Sequence, residues 1–394
     1  MSVRLHPTVI RVASTHLIVD GYGNIYAPLL PLLIPRLGLT LAMAGGFAML
    51  FQLSASVAQL GFGHIADRWR PRLLLMAGPF LAVGMLSCVG VASSKLMLTA
   101  ILMAGGLGTA AFHPPAAALA HRLGGRRAGL AMSVHITGGS IGVALGPLLF
   151  APFVQQFGLR WTPLLALPGL LALAGLVRQV PPFELNSGSS GGGLRALRPY
   201  AKPLTLLYTI VVLRTLTSLA IATFVPVLLT RRGMTVGEAG LMVATYLFAS
   251  GLGGFFGGPL ADRFGARRVI ILSLVLATPF LILAPWLHGA WFTIALSVGG
   301  FFLQSTLPVN VTFGQAIAPV SAATVSSLMM GFAWGTGGLS VPLVGMVADR
   351  IGIERTLIVL SLVPLLAAAA AWPLPKTLRG PARADEAPTV PLLQ

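Results

Sequence analysis

His16 and Asp20 stand four residues apart in "THLIVDGYGNIYAPLLPLLIP", Thr15–Pro35, a stretch that is otherwise almost wholly apolar. Four residues make one turn of an α-helix, so both side chains share a face. An imidazole and a carboxylate at that spacing can hold a proton and pass it on, because histidine changes charge near neutral pH. The plainer alternative is a hydrogen bond that ties two helices together. Of the nine acids in the chain, Asp20 alone falls well inside an apolar span. It lies about 12 residues into that span, ~18 Å along a helix. If the span crosses a bilayer, Asp20 sits near its midplane, where a carboxylate is costly and commonly marks an ion path.

Arg214 is the corresponding cation, about 11 residues into a later apolar span and therefore at a similar depth. It is a candidate partner for Asp20 or for an anionic group of a substrate, since the guanidinium fork grips two oxygens at once. A purely structural ion pair is the competing reading. His113 and His135 flank the turn "HRLGGRRA", each roughly 10 Å from it, so they come level and are candidate ligand contacts; buried neutral histidines are the bland alternative. No Cys, Asp or Glu accompanies that pair, so no metal site is expected. Pro114 and Pro115 should break or bend their helix and free carbonyls near a cavity. Tyr22, Asn24 and Gln304 add candidate polar contacts for a bound molecule.

The elements that place these residues follow from composition. The chain has 394 residues, 56% hydrophobic and only 9% charged, against about 25% charged in a soluble domain. Apolar runs of roughly 20 residues recur throughout, each long enough to cross a bilayer as a helix. Open sheets are excluded from lipid, and the short alternating segments of a barrel are missing. The spans are placed at 8–34, 43–63, 73–92, 96–120, 129–153, 161–179, 203–229, 239–258, 269–287, 290–311, 322–345 and 357–374. They predict an all-α membrane protein of twelve transmembrane helices in two six-helix bundles, 1–180 and 203–375. A Gly-, Ser- and Pro-rich cytoplasmic linker is expected over 181–202, and a disordered tail over 376–394. With both termini in the cytoplasm, 18 of the 26 Lys and Arg residues fall on the inner side and seven on the outer side, with Arg214 inside a span. That bias fixes the topology. The formal charge of +17 therefore reads as arginines flanking helices at anionic lipid, not as nucleic-acid binding. Cys88 is the one cysteine, so no internal disulfide is possible.

The halves repeat. "GHIADRWRPR" begins at Gly63 and "GPLADRFGAR" at Gly258, and the same offset of 195 carries Pro31 to Pro226 and Pro147 to Pro342. In both copies a glycine admits a neighbouring helix and an aspartate follows it. Asp67–Arg68 and Asp262–Arg263 are thus candidate gates, meeting a helix N-terminus only when the cytoplasmic ends are together. A third copy, "GMVADR" at Gly345, falls in an outer loop and reads as a solvated charge. The doubled loop motif resembles the signature of the major facilitator superfamily, and the likeness covers essentially the whole chain. Within it, "HLIVD", "FQLSASVAQ", "AFHPPAAALA", "GGSIGVALGPLL" and "GFAWGTGGL" resemble the fosmidomycin-resistance type of efflux protein. That branch usually carries Phe-His-Pro-Glu, and here Pro115 stands in the place of the acid.

Two parallel repeats around a cavity describe a rocking transporter. No G-x-x-x-x-G-K-[ST] loop occurs, so an ion gradient must supply the energy. The expectation is a monomeric, proton-coupled secondary transporter of the cytoplasmic membrane, exporting an amphiphilic or anionic small molecule with Asp20 and His16 handling protons. It is not expected to be an enzyme or to carry a cofactor. An uptake symporter for a small organic anion would use the same residues. A membrane receptor or lipid-handling protein would not need Asp20 and Arg214 at one depth.

Overall fold

The computed structural model describes residues 5–68, 71–125, 128–181, 183, 194–319 and 322–375. Twelve helices among them are long and apolar enough to cross a membrane: α1 Pro7–Leu37, α2 Leu41–Ala66, α3 Pro71–Val91, α4 Lys95–Gly124, α5 Leu130–Phe157, α6 Leu159–Val177, α7 Leu197–Arg231, α8 Val236–Phe264, α9 Ala266–Trp286, α10 Gly289–Ile317, α11 Thr324–Ile351 and α12 Ile353–Ala371. Most reach a few residues past the apolar runs. Thr40, Ser94 and Thr235 each accept a hydrogen bond from the backbone N–H three residues on, satisfying donors that the first turn leaves open. Glu238 completes a capping box with Thr235. The expected tail, 376–394, lies outside the described residues, as does most of the expected linker. The end of that linker, Leu194–Tyr200, is instead a helical turn leading into α7, and its Leu197 is buried.

The sequence expects a break or bend at Pro114 and Pro115, and the helical break lies elsewhere. Pro114 and Pro115 do not break α4, which is helical from Lys95 through Gly124. Pro115 is buried, Pro114 lies under Gly63 of α2, and neighbours of this kind let a membrane helix continue through proline. The break falls in α1, between Gly23 and Tyr26. Pro28 has no N–H for the Asn24 carbonyl, and Asn24 caps the first segment through Gly21 and Tyr22. In α11, Ser327–Phe332 form a π-helical turn, a local irregularity frequent at functional sites.

Within each half, small residues let helices approach closely. Gly138 and Gly142 of α5 lie against the backbone of Ala13 and Leu17 in α1, and Gly257 of α8 against Ser305 of α10. Twelve crossings return the chain to the end where it began, and the two halves meet tightly at the opposite, far end. There Gly45 of α2 faces the Val341 carbonyl of α11, Gly240 of α8 faces Pro147 and Ala151 of α5, and the Gly237 N–H donates to Gln155 Oε1 at 2.7 Å.

The third Ala-Asp-Arg copy belongs to this closure, which corrects the expectation of a solvated loop charge. The Asp349 carboxylate, at the end of α11, accepts hydrogen bonds from the backbone N–H groups of Leu41 and Ala42, both at 2.9 Å. These are the first free donors of α2, so the anion sits on the positive end of that helix and ties the two halves. Asp349→Ala is expected to loosen the far end. A cysteine placed at Gln52 in a Cys88→Ser background should react with an impermeant maleimide, added on the far side, roughly two- to fivefold faster, the scale of an exposed charge–dipole contact. An unchanged rate would assign Asp349 no role in closure.

Candidate functional site

Asp20 is the centre of a three-residue cluster drawn from two helices. One turn before it on α1, His16 Nε2 lies 3.0 Å from Asp20 Oδ2. From α4, His113 Nε2 lies 3.3 Å from Asp20 Oδ1. Each imidazole uses its other nitrogen on a backbone carbonyl: His16 Nδ1 donates to the His135 carbonyl of α5 and His113 Nδ1 to the Thr109 carbonyl, both at 2.8 Å. The rings are thereby fixed in orientation, as second-contact hydrogen bonds fix histidines elsewhere. His113 Nδ1 thus bonds to the preceding turn of its own helix, next to the Ala110 and Ala111 carbonyls that Pro114 and Pro115 leave without a helical donor.

The packing leaves room for this arrangement at one place. A methyl group on Gly139 of α5 would stand 2.5 Å from His16 Nε2 and 2.7 Å from Asp20 Oδ2, so any larger residue would displace the cluster. His135 stacks on His16 with ring centroids 4.3 Å apart, and Phe112 packs against His16 at 5.9 Å. The His16 side chain is nearly buried, while those of Asp20 and His113 keep 21% and 22% exposure. Space therefore opens onto the carboxylate and His113.

The expected level placement of His113 and His135 is met, but their roles divide. His113 joins Asp20, and His135 supplies a carbonyl and a stacking surface while its own Nδ1 has no partner among the described residues. Asp20, on α1, supplies the carboxylate that no residue of α4 brings to His113. Two imidazoles and a carboxylate whose ligand atoms lie within 4.8 Å of one another form a set that can hold a metal ion. In sequence no acid accompanies the pair His113 and His135; the structure brings Asp20 to His113, and the His16 and His113 imidazoles each approach their own oxygen of the carboxylate.

Arg214 does not pair with Asp20, which corrects the expected ion pair. Asp20 is already bracketed by two histidines. The guanidinium, 1% exposed, instead donates to Gln304 Oε1 of α10 and to Thr215 Oγ1, the latter at 3.0 Å. It also lies over the Trp334 ring of α11 at 5.5 Å. No carboxylate bridges to it among the described residues, and its Nε has no partner there. A buried guanidinium held only by neutral groups keeps an unneutralised charge. Gln304, proposed from sequence as a ligand contact, is its support. Trp334 follows the π-helical turn by two residues, a feature that hydrophobic patterning did not announce.

Other expected contacts are structural. Tyr22 is buried in the first half, where it packs on Phe150 and its hydroxyl donates to the Leu165 carbonyl. Asn24 bonds back to the Asp20 carbonyl at 3.0 Å and ends the first segment of α1. The side chains of Asp67 and Arg68 lie outside the described residues. Asp262 and Arg263 are exposed at the end of α8, with the Arg263 guanidinium over the Phe264 ring.

Twelve membrane-length helices in two halves, closed at one end and carrying ionisable side chains at mid-helix, define a polytopic membrane transporter. The sequence pattern described as Major Facilitator Superfamily matches residues 12–236 and 207–393, and the chain belongs to that family. It is similar to the fosmidomycin resistance protein of Escherichia coli (strain K12), 28% identical over 365 residues, covering 90% of this chain and 89% of that one. It is also similar to the uncharacterised MFS-type transporter YfnC of Bacillus subtilis (strain 168), 27% identical over 376 residues, 92% and 91% covered. Among solved structures, a bacterial homologue of the human lysosomal transporter Spinster shares the fold at a TM-score of 0.75 and 17% identity, with 93% and 95% of the chains covered.

Proposed function

We propose that this chain is a proton-coupled secondary active transporter that exports small amphiphilic or anionic compounds by alternating access. The carrying observation is the Asp20 carboxylate, bracketed by His16 and His113 at mid-helix and partly open to the interior. A site that exchanges protons with each side in turn needs an ionisable group in the middle of the membrane with room around it. The unneutralised Arg214 guanidinium, in the opposite half, suits the anionic group of a cargo. The efflux-type name of the Escherichia coli relative supports the direction of transport and nominates fosmidomycin as a first probe.

In this reading the protein is a monomer in the cytoplasmic membrane with both termini inside. The bundles 1–180 and 203–375 rock about the cavity, joined by the linker 181–202. Asp349 holds the outer end shut, and Asp67–Arg68 and Asp262–Arg263 close the cytoplasmic end when the outer end opens. Purified protein in liposomes should show fosmidomycin counterflow, and an imposed pH gradient should drive net flux of the probe against its own gradient. A probe that counterflows but ignores the pH gradient in rate and extent would remove proton coupling. Accumulation only in the direction of the protons would replace export with uptake.

A further inference from the structure

The bonding pattern of the His16–Asp20–His113 cluster sets how many protons it holds. A carbonyl oxygen carries no hydrogen, so the 2.8 Å contacts to His135 and Thr109 require Nδ1–H on both His16 and His113. In the neutral form of each ring the Nε2 nitrogen is then a bare acceptor. Both Nε2 atoms face carboxylate oxygens, at 3.0 and 3.3 Å, and an ionised carboxylate is also acceptor only. Neither contact is a hydrogen bond until a proton lies in it. Because the two imidazoles address different oxygens, one proton cannot serve both.

We infer that the cluster loads two protons, one in each imidazole–carboxylate contact, so that His113 is a coupling residue beside Asp20 and His16. This rests on the proposed proton-coupled cycle and gives it a stoichiometry of two. Loaded, the cluster carries a net charge of +1, whether each proton is drawn on nitrogen or one is drawn on oxygen. With one proton lost, one contact sets lone pair against lone pair; with both lost, the cluster is a bare carboxylate between two acceptors. Each lost proton removes one hydrogen bond, so each contact holds its own proton.

The surroundings do not supply a substitute donor among the described residues. From α5 the site is faced by Gly139 and by the ring of His135, which stacks on His16 and hydrogen-bonds to neither carboxylate oxygen. From α4 it is faced by Phe112 and His113. Among the described residues Asp20 has no ion pair other than those with His16 and His113. His113, the more exposed of the two rings, is the proton's point of entry.

Histidine nitrogen NMR on the full chain, labelled with ¹⁵N-histidine and assigned by single His→Gln variants, tests this without any transported ligand. The expected result is that His16 and His113 both pass from imidazolium to the Nδ1–H neutral form as pH rises, and that Asp20→Asn, which removes the facing negative charge, moves both transitions to lower pH. His113→Gln should leave one titrating ring in the cluster, and His16→Gln provides the same reading if that variant folds poorly. An Nε2–H neutral form at either ring, or titration of only one of them, overturns the inference. The proton-coupled reading is judged separately: two protons in the spectrum with no pH-driven transport would remove that reading and leave the cluster as described.

Discussion

Asp20→Asn is expected to abolish accumulation driven by a pH gradient while counterflow continues. A potential of 100 mV and one pH unit together supply about 3.7 kcal/mol per proton, enough for a few hundred-fold concentration gradient. Asparagine keeps the size of the side chain but cannot ionise, so the variant should take that gradient to unity. Counterflow needs no net proton movement, and it should fall far less. The substitution also stays within the cluster's hydrogen bonding, because the amide can accept from one imidazole and donate to the other. The two fluxes are compared in liposomes at matched protein levels. Wild-type accumulation in Asp20→Asn would exclude Asp20 as the coupling site and pass that role to His16, His113 and His135.

Replacing Arg214 should produce the second large effect, on cargo. The guanidinium is buried over Trp334 and braced by Gln304 and Thr215. Lysine in its place keeps the charge but loses the planar fork. A charge-assisted hydrogen bond contributes about 1.5–3 kcal/mol, so Arg214→Lys should weaken binding of an anionic probe roughly 10- to 100-fold. Arg214→Ala should weaken it at least as much. A neutral probe should bind all three proteins alike, which separates a cargo contact from a general disturbance of the second half. Unchanged binding of the anionic probe by Arg214→Ala, measured by ligand-induced thermal shift, would make Arg214 a structural residue.

Both predictions start from residues that stood out before any contact was known. Asp20 was visible because a carboxylate in a run such as "HLIVDGYG" is incompatible with lipid and must be explained. His16 followed from helical period alone. Arg214 was visible as the cation in the middle of a span, for the same reason. Their partners were not. The contact between Asp20 and His113 joins residues on α1 and α4, and nothing in the sequence fixes which face of α4 turns toward α1. Of the two partners considered for Arg214, Asp20 is not the one it meets: equal depth along two helices does not bring their side chains together.

The amino-acid sequence by itself determined the twelve spans, the doubling of the six-helix unit and the singular acid and cation. These are one-dimensional properties: lipid demands continuous apolar helices, and any departure shows against that background. Tertiary structure decided where α1 breaks, that α4 does not, and that Asp349 caps α2 across the two halves. It also decided that Gly139 makes room for the His16–Asp20–His113 cluster. Each of these depends on what a neighbouring helix offers at the point of contact: a buried proline's packing, a free N–H at a helix start, or the missing side chain of a glycine. Hydropathy and period describe one helix at a time and carry no record of its neighbours.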